Sequence, residues 1–361
     1  MTEQHETRRQ EFERLLAAYF PEGGARIVPG QSGMNNTTRF VDRGEERYVL
    51  RVYETHRDAD KAAFEHRTLL ALARVDGLPF SVPGPVRTAR GETIATTDEG
   101  KIAALFRRID GVNPTLRTTK QLRSFGRTAG SLSKALAAVG PAVGGTPAYP
   151  PYYELELIHP SCPLSDVETF CESPPDGFSV LERELEDVGA ALRDLRNRLP
   201  RLRRLPHQLV HGDLNASNAL SAATDGPVTA VLDFEFVTRD LRVMEAAVCL
   251  SDLIRPDGTN EVDDDAGGSD DVDGWARIDA FLQGYGEAAR LTDEELSAVP
   301  SLVLLRRLDV FVHFLGRLRS GLPEADVVRD QIVQASRTYR WLNERGDRLA
   351  ELCRSRLGGG R

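Results

Sequence analysis

The chain is poor in the features that mark secreted, membrane-bound or nucleic-acid-binding proteins. It has four cysteines in 361 residues, Cys162, Cys171, Cys249 and Cys353, with no C-x-x-C pair among them. An even number permits disulfides, but a chain this long can bury a core without covalent staples, so reduced thiols are expected. No apolar run approaches the ~18 residues that span a bilayer, so no membrane association is expected. Residues 1–16 are charged and lack the apolar segment of a secretory signal, which makes the cytoplasm the expected compartment. Positive charge is also short: 46 Lys and Arg against 55 Asp and Glu leave a net charge of -9. That balance argues against a nucleic-acid partner, whose phosphates require a basic face. What is present, 40% hydrophobic and 28% charged residues, is the composition of an ordinary globular protein. The length suits two domains or one large one, at roughly 150 residues per domain.

The hydrophobic period changes once along the chain. Leu15, Leu16 and Tyr19 put a helical stripe in residues 11–20, and Pro21 ends it. Short β-rich runs follow at 25–28, 37–42 and 47–53, the last two separated by the hairpin signal Arg43-Gly44-Glu45-Glu46. Between the first two lies the turn-forming stretch Gly30-Gln31-Ser32-Gly33-Met34-Asn35-Asn36. A helix is predicted over 60–75, with Glu65, Leu69 and Leu72 on one face, then strands at 92–97 and 102–108. From Gly111 the pattern is helical. Leu122, Phe125, Ala129, Leu132 and Leu136 form one stripe, and Leu181, Leu185, Val188, Leu192, Leu195 and Leu199 form another. A Gly- and Pro-rich loop at 140–151 lies between them, and helices are expected again at 302–317 and 327–352. The expectation is an α+β protein with a small antiparallel-sheet lobe at 1–110 and a larger helical lobe at 111–361.

Residues 261–273 hold six aspartates among glycines. Aligned to a calcium-binding loop, Ser269, Asp271, Asp273 and Gly274 would put Ala280 where the bidentate glutamate belongs, so a solvated loop is the better reading.

The chemistry concentrates in Leu209-Val210-His211-Gly212-Asp213-Leu214-Asn215-Ala216-Ser217-Asn218-Ala219-Leu220. A second apolar run, 228–232, ends in Asp233-Phe234-Glu235. Two short strands flanking a polar loop can bring Asp213, Asn218 and Asp233 together. Phosphoryl transfer needs such a set: a carboxylate for the hydroxyl proton, and an amide oxygen and a second carboxylate for the metal on the nucleotide phosphates. Hard oxygen ligands in small number suit Mg²⁺. Taken singly, each residue has a plainer reading as a turn cap or strand end; the three in this order point to function.

His211-x-Asp213 with Asn218, followed by Asp233-Phe234, resembles the H-x-D-x-x-x-x-N and D-F motifs of a kinase superfamily. It comprises aminoglycoside phosphotransferases, choline kinases and type II homoserine kinases, and has a protein-kinase-like two-lobe fold. Gly212, where protein kinases have arginine, favours the small-molecule branch. The resemblance implies ATP and Mg²⁺ as cofactors, Asp213 as catalytic base, Asn218 and Asp233 as metal ligands, and His211 as a structural residue of the loop. In the smaller lobe it implies a phosphate-covering loop at 30–37, with Gly33, Asn35 and Asn36 in it, although the stretch is no G-x-G-x-x-G. Arg51 stands where the family usually has a phosphate-binding lysine, with Glu65 as its ion-pair partner; an exposed strand arginine is the plainer reading. Residues 106–109, Arg107 and Ile109 among them, would line the adenine pocket. Twelve positions after the metal aspartate, where many relatives have an aspartate that braces the catalytic loop, this chain has Glu245. Either Glu245 or Asp240 is expected to do that work.

Within the superfamily, Met34-Asn35-Asn36-Thr37 and Arg107-Arg108-Ile109-Asp110-Gly111 look most like type II homoserine kinases. The implied partner is thus a small-molecule hydroxyl acceptor, homoserine or a similar amino alcohol. An aminoglycoside kinase is the alternative, and a nucleotide-binding pseudokinase is the reading from another class. A zwitterionic acceptor would need charged contacts, and Arg306, Arg307, Asp309, His313 and Arg317 on the helix at 302–317 are the candidates.

Overall fold

The structure is a computed structural model and describes residues 2–28, 36–54, 58–97, 99–256, 274–322 and 324–359. Gly33 and Asn35 of the expected phosphate-covering loop lie outside these residues, as does the acidic stretch 261–273.

The smaller lobe contains α1 (Thr2–Tyr19), β1 (Arg26–Val28), β2 (Asn36–Arg43), β3 (Glu46–Tyr53), α2 (Ala59–Leu72), β4 (Ile94–Thr96) and β5 (Ile102–Arg107). Its five strands form one antiparallel sheet in the order β1-β2-β3-β5-β4. The β2–β3 hairpin pairs Arg43 with Glu46, and Gly44 in its two-residue turn takes φ +61, which suits the twist of the flanking strands. Strand alternation decides what faces the cleft. Tyr48, Leu50 and Val52 of β3 and Ala103 and Leu105 of β5 pack with Phe12, Leu15, Leu16 and Tyr19 of α1. Tyr53, Ala104 and Phe106 fall in the main core with Phe64, Leu69 and Leu72 of α2. Arg51, two positions from Tyr53 and paired in register with Ala104, shares that second face. The strand expected at 92–97 shortens to Ile94–Thr96, because the Glu92 carbonyl accepts the Thr88 N–H (2.6 Å) in a turn instead of joining the ladder.

The larger lobe has α3 (Thr119–Val139), α4 (Leu155–Ile158), α5 (Leu164–Glu172), α6 (Glu182–Leu202), β6 (His207–Val210), β7 (Ala219–Ser221), β8 (Val228–Val231) and β9 (Thr238–Leu241). It continues with α7 (Met244–Leu253), α8 (Gly274–Ala288), α9 (Asp293–Arg319) and α10 (Ala325–Leu357). A capping box between Thr118 and Gln121 starts α3. Glycines let α3 and α8 pack backbone to backbone: a Cβ on Gly126 would sit 2.0 Å from the Phe281 carbonyl oxygen. Ala280, which the calcium-loop alignment needed as a glutamate, is buried in α8. The short α4 and α5 had no clear signal, since neither is long enough to display a helical period.

Two β-ribbons, β6 with β9 and β7 with β8, carry the polar loops of the cleft. Val112 exchanges backbone hydrogen bonds with Ser221 of β7 (2.9 and 2.8 Å), so the chain leaving β5 docks at once on the larger lobe. No helix among the described residues is long and apolar enough to cross a membrane.

Candidate active site

The loop between β6 and β7 is built around a buried histidine. His211 Nε2 lies 2.9 Å from the Leu232 carbonyl, which can only accept, and its Nδ1 lies 3.2 Å from the Asp213 amide, which can only donate. The ring is therefore the neutral Nε2–H tautomer, and burial lowers its pKa further. The backbone N–H of His211 donates to Glu245 Oε2 (2.7 Å) at the start of α7. Glu245, rather than Asp240, thus holds the loop; Asp240 accepts the amides of Tyr152 (2.7 Å) and Leu241 (2.6 Å) instead. Burial pushes the pKa of Glu245 up to about 7. Gly212 has φ +82, and a Cβ there would meet the Phe236 carbonyl oxygen at 2.8 Å, so no side chain fits at the position protein kinases give to arginine.

That scaffold presents Asp213 and Asn218 together. Asn218 Nδ2 donates to the Asp213 backbone carbonyl (2.8 Å) and to its Oδ2 (3.1 Å), leaving the amide oxygen of Asn218 for another ligand. Asn215 caps the intervening turn by accepting from the amides of Ser217 and Asn218 (2.9 and 3.2 Å). Asn113, from the lobe junction, clamps the same turn through the carbonyls of Ser217 (2.8 Å) and Ala219 (2.9 Å). Neither Asn215 nor Asn113 was singled out from the sequence. Asn215 could have been, as a capping residue at the start of a turn.

Asp233 follows β8 in the left-handed conformation (φ 60, ψ 67), unusual for a residue other than glycine and most tolerable for Asp or Asn. The turn sets its carboxylate against Arg51, whose Nη2 is 3.2 Å from Asp233 Oδ1 and whose Nη1 is 3.3 Å from Glu65 Oε1. Arg51 is therefore no exposed strand arginine. Tyr53 donates to the other oxygen of Glu65 (2.9 Å). Burial raises Glu65 to about 7 against the pull of Arg51. Desolvation opposes the charge of Arg51, but Asp233 and Glu65 outweigh it and raise its pKa. Glu235, which the sequence reading passed over, is buried beside them and accepts from Asn36 Nδ2 (2.7 Å).

The expected site residues thus divide. Asp213, Asn218, Asp233, Arg51, Glu65 and Asn36 converge, and the charge of Asp233 is felt at Asp213. Arg107 does not join them. Its N–H donates to Gly84 (2.8 Å), and its largely exposed side chain pairs with Glu46 (3.2 Å), because residue 107 falls on the outward phase of β5. Ile109 is half-buried at the lobe junction.

The donor set fits a hard divalent cation brought by a nucleotide. Three buried oxygens, Asp233 Oδ1, Glu235 Oε1 and Asn36 Oδ1, have no hydrogen-bond donor, although Asp233 Oδ1 has its ion-pair contact with Arg51. Among the described residues no group of three or more His, Cys, Asp or Glu forms a metal cage. Mg²⁺ commonly takes one or two carboxylates and completes its shell with phosphates and water.

On the far side of Asp213 a cavity of about 590 Å³ opens between the 140–161 segment and α9. Tyr149, Tyr152, His159, Arg306, Asp309, His313 and Arg317 line it with Asp213. Arg306 Nη2 donates to Asp213 Oδ1 (2.6 Å), and its Nη1 reaches Asp309 Oδ2 (2.9 Å) and the Tyr152 hydroxyl (3.1 Å). His159 Nε2 is 2.8 Å from Asp309 Oδ1. Arg317 is paired bidentately with Glu324 (2.7 and 2.5 Å). Burial pushes Asp213 up to about 6 against the opposing charge of Arg306. Arg307 lies apart from the cavity, bonded to the Ser251 carbonyl.

An antiparallel-sheet lobe above a helical lobe, with this loop between them, defines a protein-kinase-like α+β fold. Residues 26–281 match the family model of the phosphotransferase enzyme family, and the chain belongs to that family as a small-molecule kinase. A homoserine kinase from Sinorhizobium fredii is 27% identical over 297 residues, which cover 80% of this chain and 78% of that one. A homoserine kinase from Methylobacillus glycogenes is 25% identical over 75% of this chain and 74% of its own. Among solved structures, a microcompartment-associated aminopropanol kinase superposes with a TM-score of 0.66 at 18% identity, over 94% of this chain and 98% of that one. An amicoumacin kinase in complex with AMP-PNP and Ca²⁺ gives 0.61 at 16% identity, over 96% of both chains.

Proposed function

We propose that the chain transfers the γ-phosphoryl group of ATP, with Mg²⁺, to a hydroxyl of a small acceptor in the cavity at Asp213, homoserine being the first candidate. The observation that carries the reading is the single hydrogen-bonded unit of Asp213 and Asn218. It faces the Arg51–Asp233 pair on one side and the cavity on the other. Asp213 would orient the acceptor hydroxyl and take its proton; each of its oxygens has one donor and can accept another. Arg51, held by Glu65, would bind the α- and β-phosphates. Asn218 and Asp233 would hold the metal, which supplies charge neutralisation on the phosphates.

The cavity bears on the choice of acceptor. Its only lining carboxylates among the described residues, Asp213 and Asp309, are already paired with Arg306 and His159. A polycationic aminoglycoside would need acids that are unspent, whereas an amino acid alcohol also offers an anion for Arg306. ATP turnover measured against L-homoserine, amino alcohols and aminoglycosides tests the reading. ADP release stimulated by homoserine, with a phosphorylated product, is expected. Aminoglycosides turned over in place of any amino acid would replace homoserine, and no stimulation by any acceptor would overturn the kinase assignment.

A further inference from the structure

Arg306 is the one cation of the cavity in direct contact with Asp213, and it is neither a surface residue nor a saturated one. Its side chain is 17% exposed on α9, and the cavity opens onto it. Both protons of Nη1 are used, on Asp309 and Tyr152. Nη2 spends one of its two protons on Asp213, and Nε–H meets no acceptor among the described residues. Nε and Nη2 form the side-on edge of a guanidinium, the edge with which Arg317 grips Glu324 in this molecule. Tyr152, itself donating to the Gly212 carbonyl (2.6 Å), and Asp309, fixed by His159, hold that fork still from behind. Arg306 thus presents a partly filled, immobilised carboxylate fork beside the base.

We infer that Arg306 is the specificity-determining residue of the acceptor site: its Nε–Nη2 edge takes an anionic group of the acceptor, so the preferred substrates are short hydroxy acids rather than plain amino alcohols. The inference rests on the kinase reading above and narrows its substrate class. Geometry limits the length of the acceptor. A hydroxyl on Asp213 and a carboxylate on Arg306, each at ordinary hydrogen-bond distance, lie within about 8 Å of one another, a span of a few carbons. The same contact couples binding to chemistry. With the guanidinium held in place, a carboxylate on its outer edge sets the acceptor hydroxyl beside Asp213, whose oxygens can each still accept a proton donor.

The test compares kcat/KM for L-homoserine, for 4-hydroxybutyrate, which keeps the carboxylate and lacks the amine, and for 3-aminopropan-1-ol, which keeps the amine and lacks the carboxylate. Wild type is expected to favour both carboxylate acceptors over 3-aminopropan-1-ol. Arg306→Gln should shrink that ratio by about 30-fold or more, chiefly through KM for the acids, as expected for loss of a charge-assisted pair. Arg306→Lys, which keeps the charge but not the fork, should fall between them, and it carries the test if the glutamine variant does not fold. A merely structural arginine would lower all three acceptors alike, and an unchanged ratio in both variants overturns the inference while leaving the kinase reading intact. Wild-type preference for 3-aminopropan-1-ol overturns it as well. No turnover of these three acceptors by wild type overturns the inference, and ADP release with the wider panel of amino alcohols and aminoglycosides then decides the kinase reading separately.

Discussion

His211 and Arg51 serve the same cleft from different lobes and are held by different means. His211 is neutral and fully hydrogen-bonded: its ring and amide engage Leu232, Asp213 and Glu245 at 2.7 to 3.2 Å. Bonds of this kind contribute roughly 1 kcal/mol each, but leaving such a group buried and unpaired costs about 1–3 kcal/mol, so the loop has one stable arrangement. Arg51 is a buried cation shared by Asp233, Glu65 and, at longer range, Glu235. Negative charge is in excess there, and oxygens of Asp233 and Glu235 lack donors. The His211 loop is finished without a ligand, whereas the side around Arg51 is short of positive charge, which a divalent cation such as Mg²⁺ would supply.

Asp213→Asn should lower kcat by about two to four orders of magnitude with ATP affinity within a few-fold of wild type, because the bonds of His211 to Leu232 and Glu245 hold the loop without the Asp213 carboxylate. Near-normal turnover in steady-state assays would take Asp213 out of the mechanism. On the other side, Asp233→Ala should abolish the magnesium dependence of ATP binding, with a loss of roughly 30-fold or more at saturating Mg²⁺ and a smaller one for Asn218→Ala. Titrations that respond equally to Mg²⁺ in wild type and Asp233→Ala would refute that assignment. Arg51→Ala should weaken ATP by about tenfold, and Arg51→Lys should keep most of the affinity, since either cation answers the local excess of carboxylates. Unchanged affinity in Arg51→Ala would reduce Arg51 to a structural counter-ion.

The smallest effect concerns stability. Glu245, Glu65 and Asp240 are each raised to about 7 by burial, so between about pH 4.5 and 7 these three groups bind more protons in the folded chain than in the unfolded one. Their contribution to the stability of the ligand-free protein should therefore fall as pH rises through that window, while the buried His66 and His211, whose pKa values burial lowers, contribute in the opposite direction. Glu245→Gln should make the slope shallower, by a change on the order of 1 kcal/mol across the window. Thermal melts from pH 5 to 8 check it, and a variant with the wild-type slope would show that Glu245 is not charged at the upper end.

How much was legible followed from contact distance along the chain. Asp213 and Asn218 are five residues apart, and Arg51 and Glu65 fourteen, so a motif or a strand–helix pair displays them. Arg306 meets Asp213 across 93 residues, and Asn36 meets Glu235 across 199; no local pattern links such pairs. Arg306 was visible as a charged position on a helix, but its bond to the base was not. The direction of the Arg107 side chain was hidden for a related reason: proximity to the junction suggested a nucleotide contact, while the strand's alternation turns that side chain outward to Glu46.

The sequence by itself determined the elements and the chemistry of the loop. Period-two and helical stripes are local consequences of one-sided burial, and His211, Asp213, Asn218 and Asp233 lie close enough along the chain for their order to signal the task. Tertiary structure decided which of two carboxylates braces the loop. Asp240 and Glu245 are five residues apart, and only the turn from β9 into α7 brings Glu245 to the His211 amide (2.7 Å) while committing Asp240 to Tyr152 and Leu241. It also decided the character of the acceptor cavity, because the charge a ligand meets there depends on which side chains have already neutralised one another. Asp309 reads in sequence as an available acid. In the fold His159 and Arg306 have claimed both its oxygens, and the unspent charge is the outer edge of Arg306.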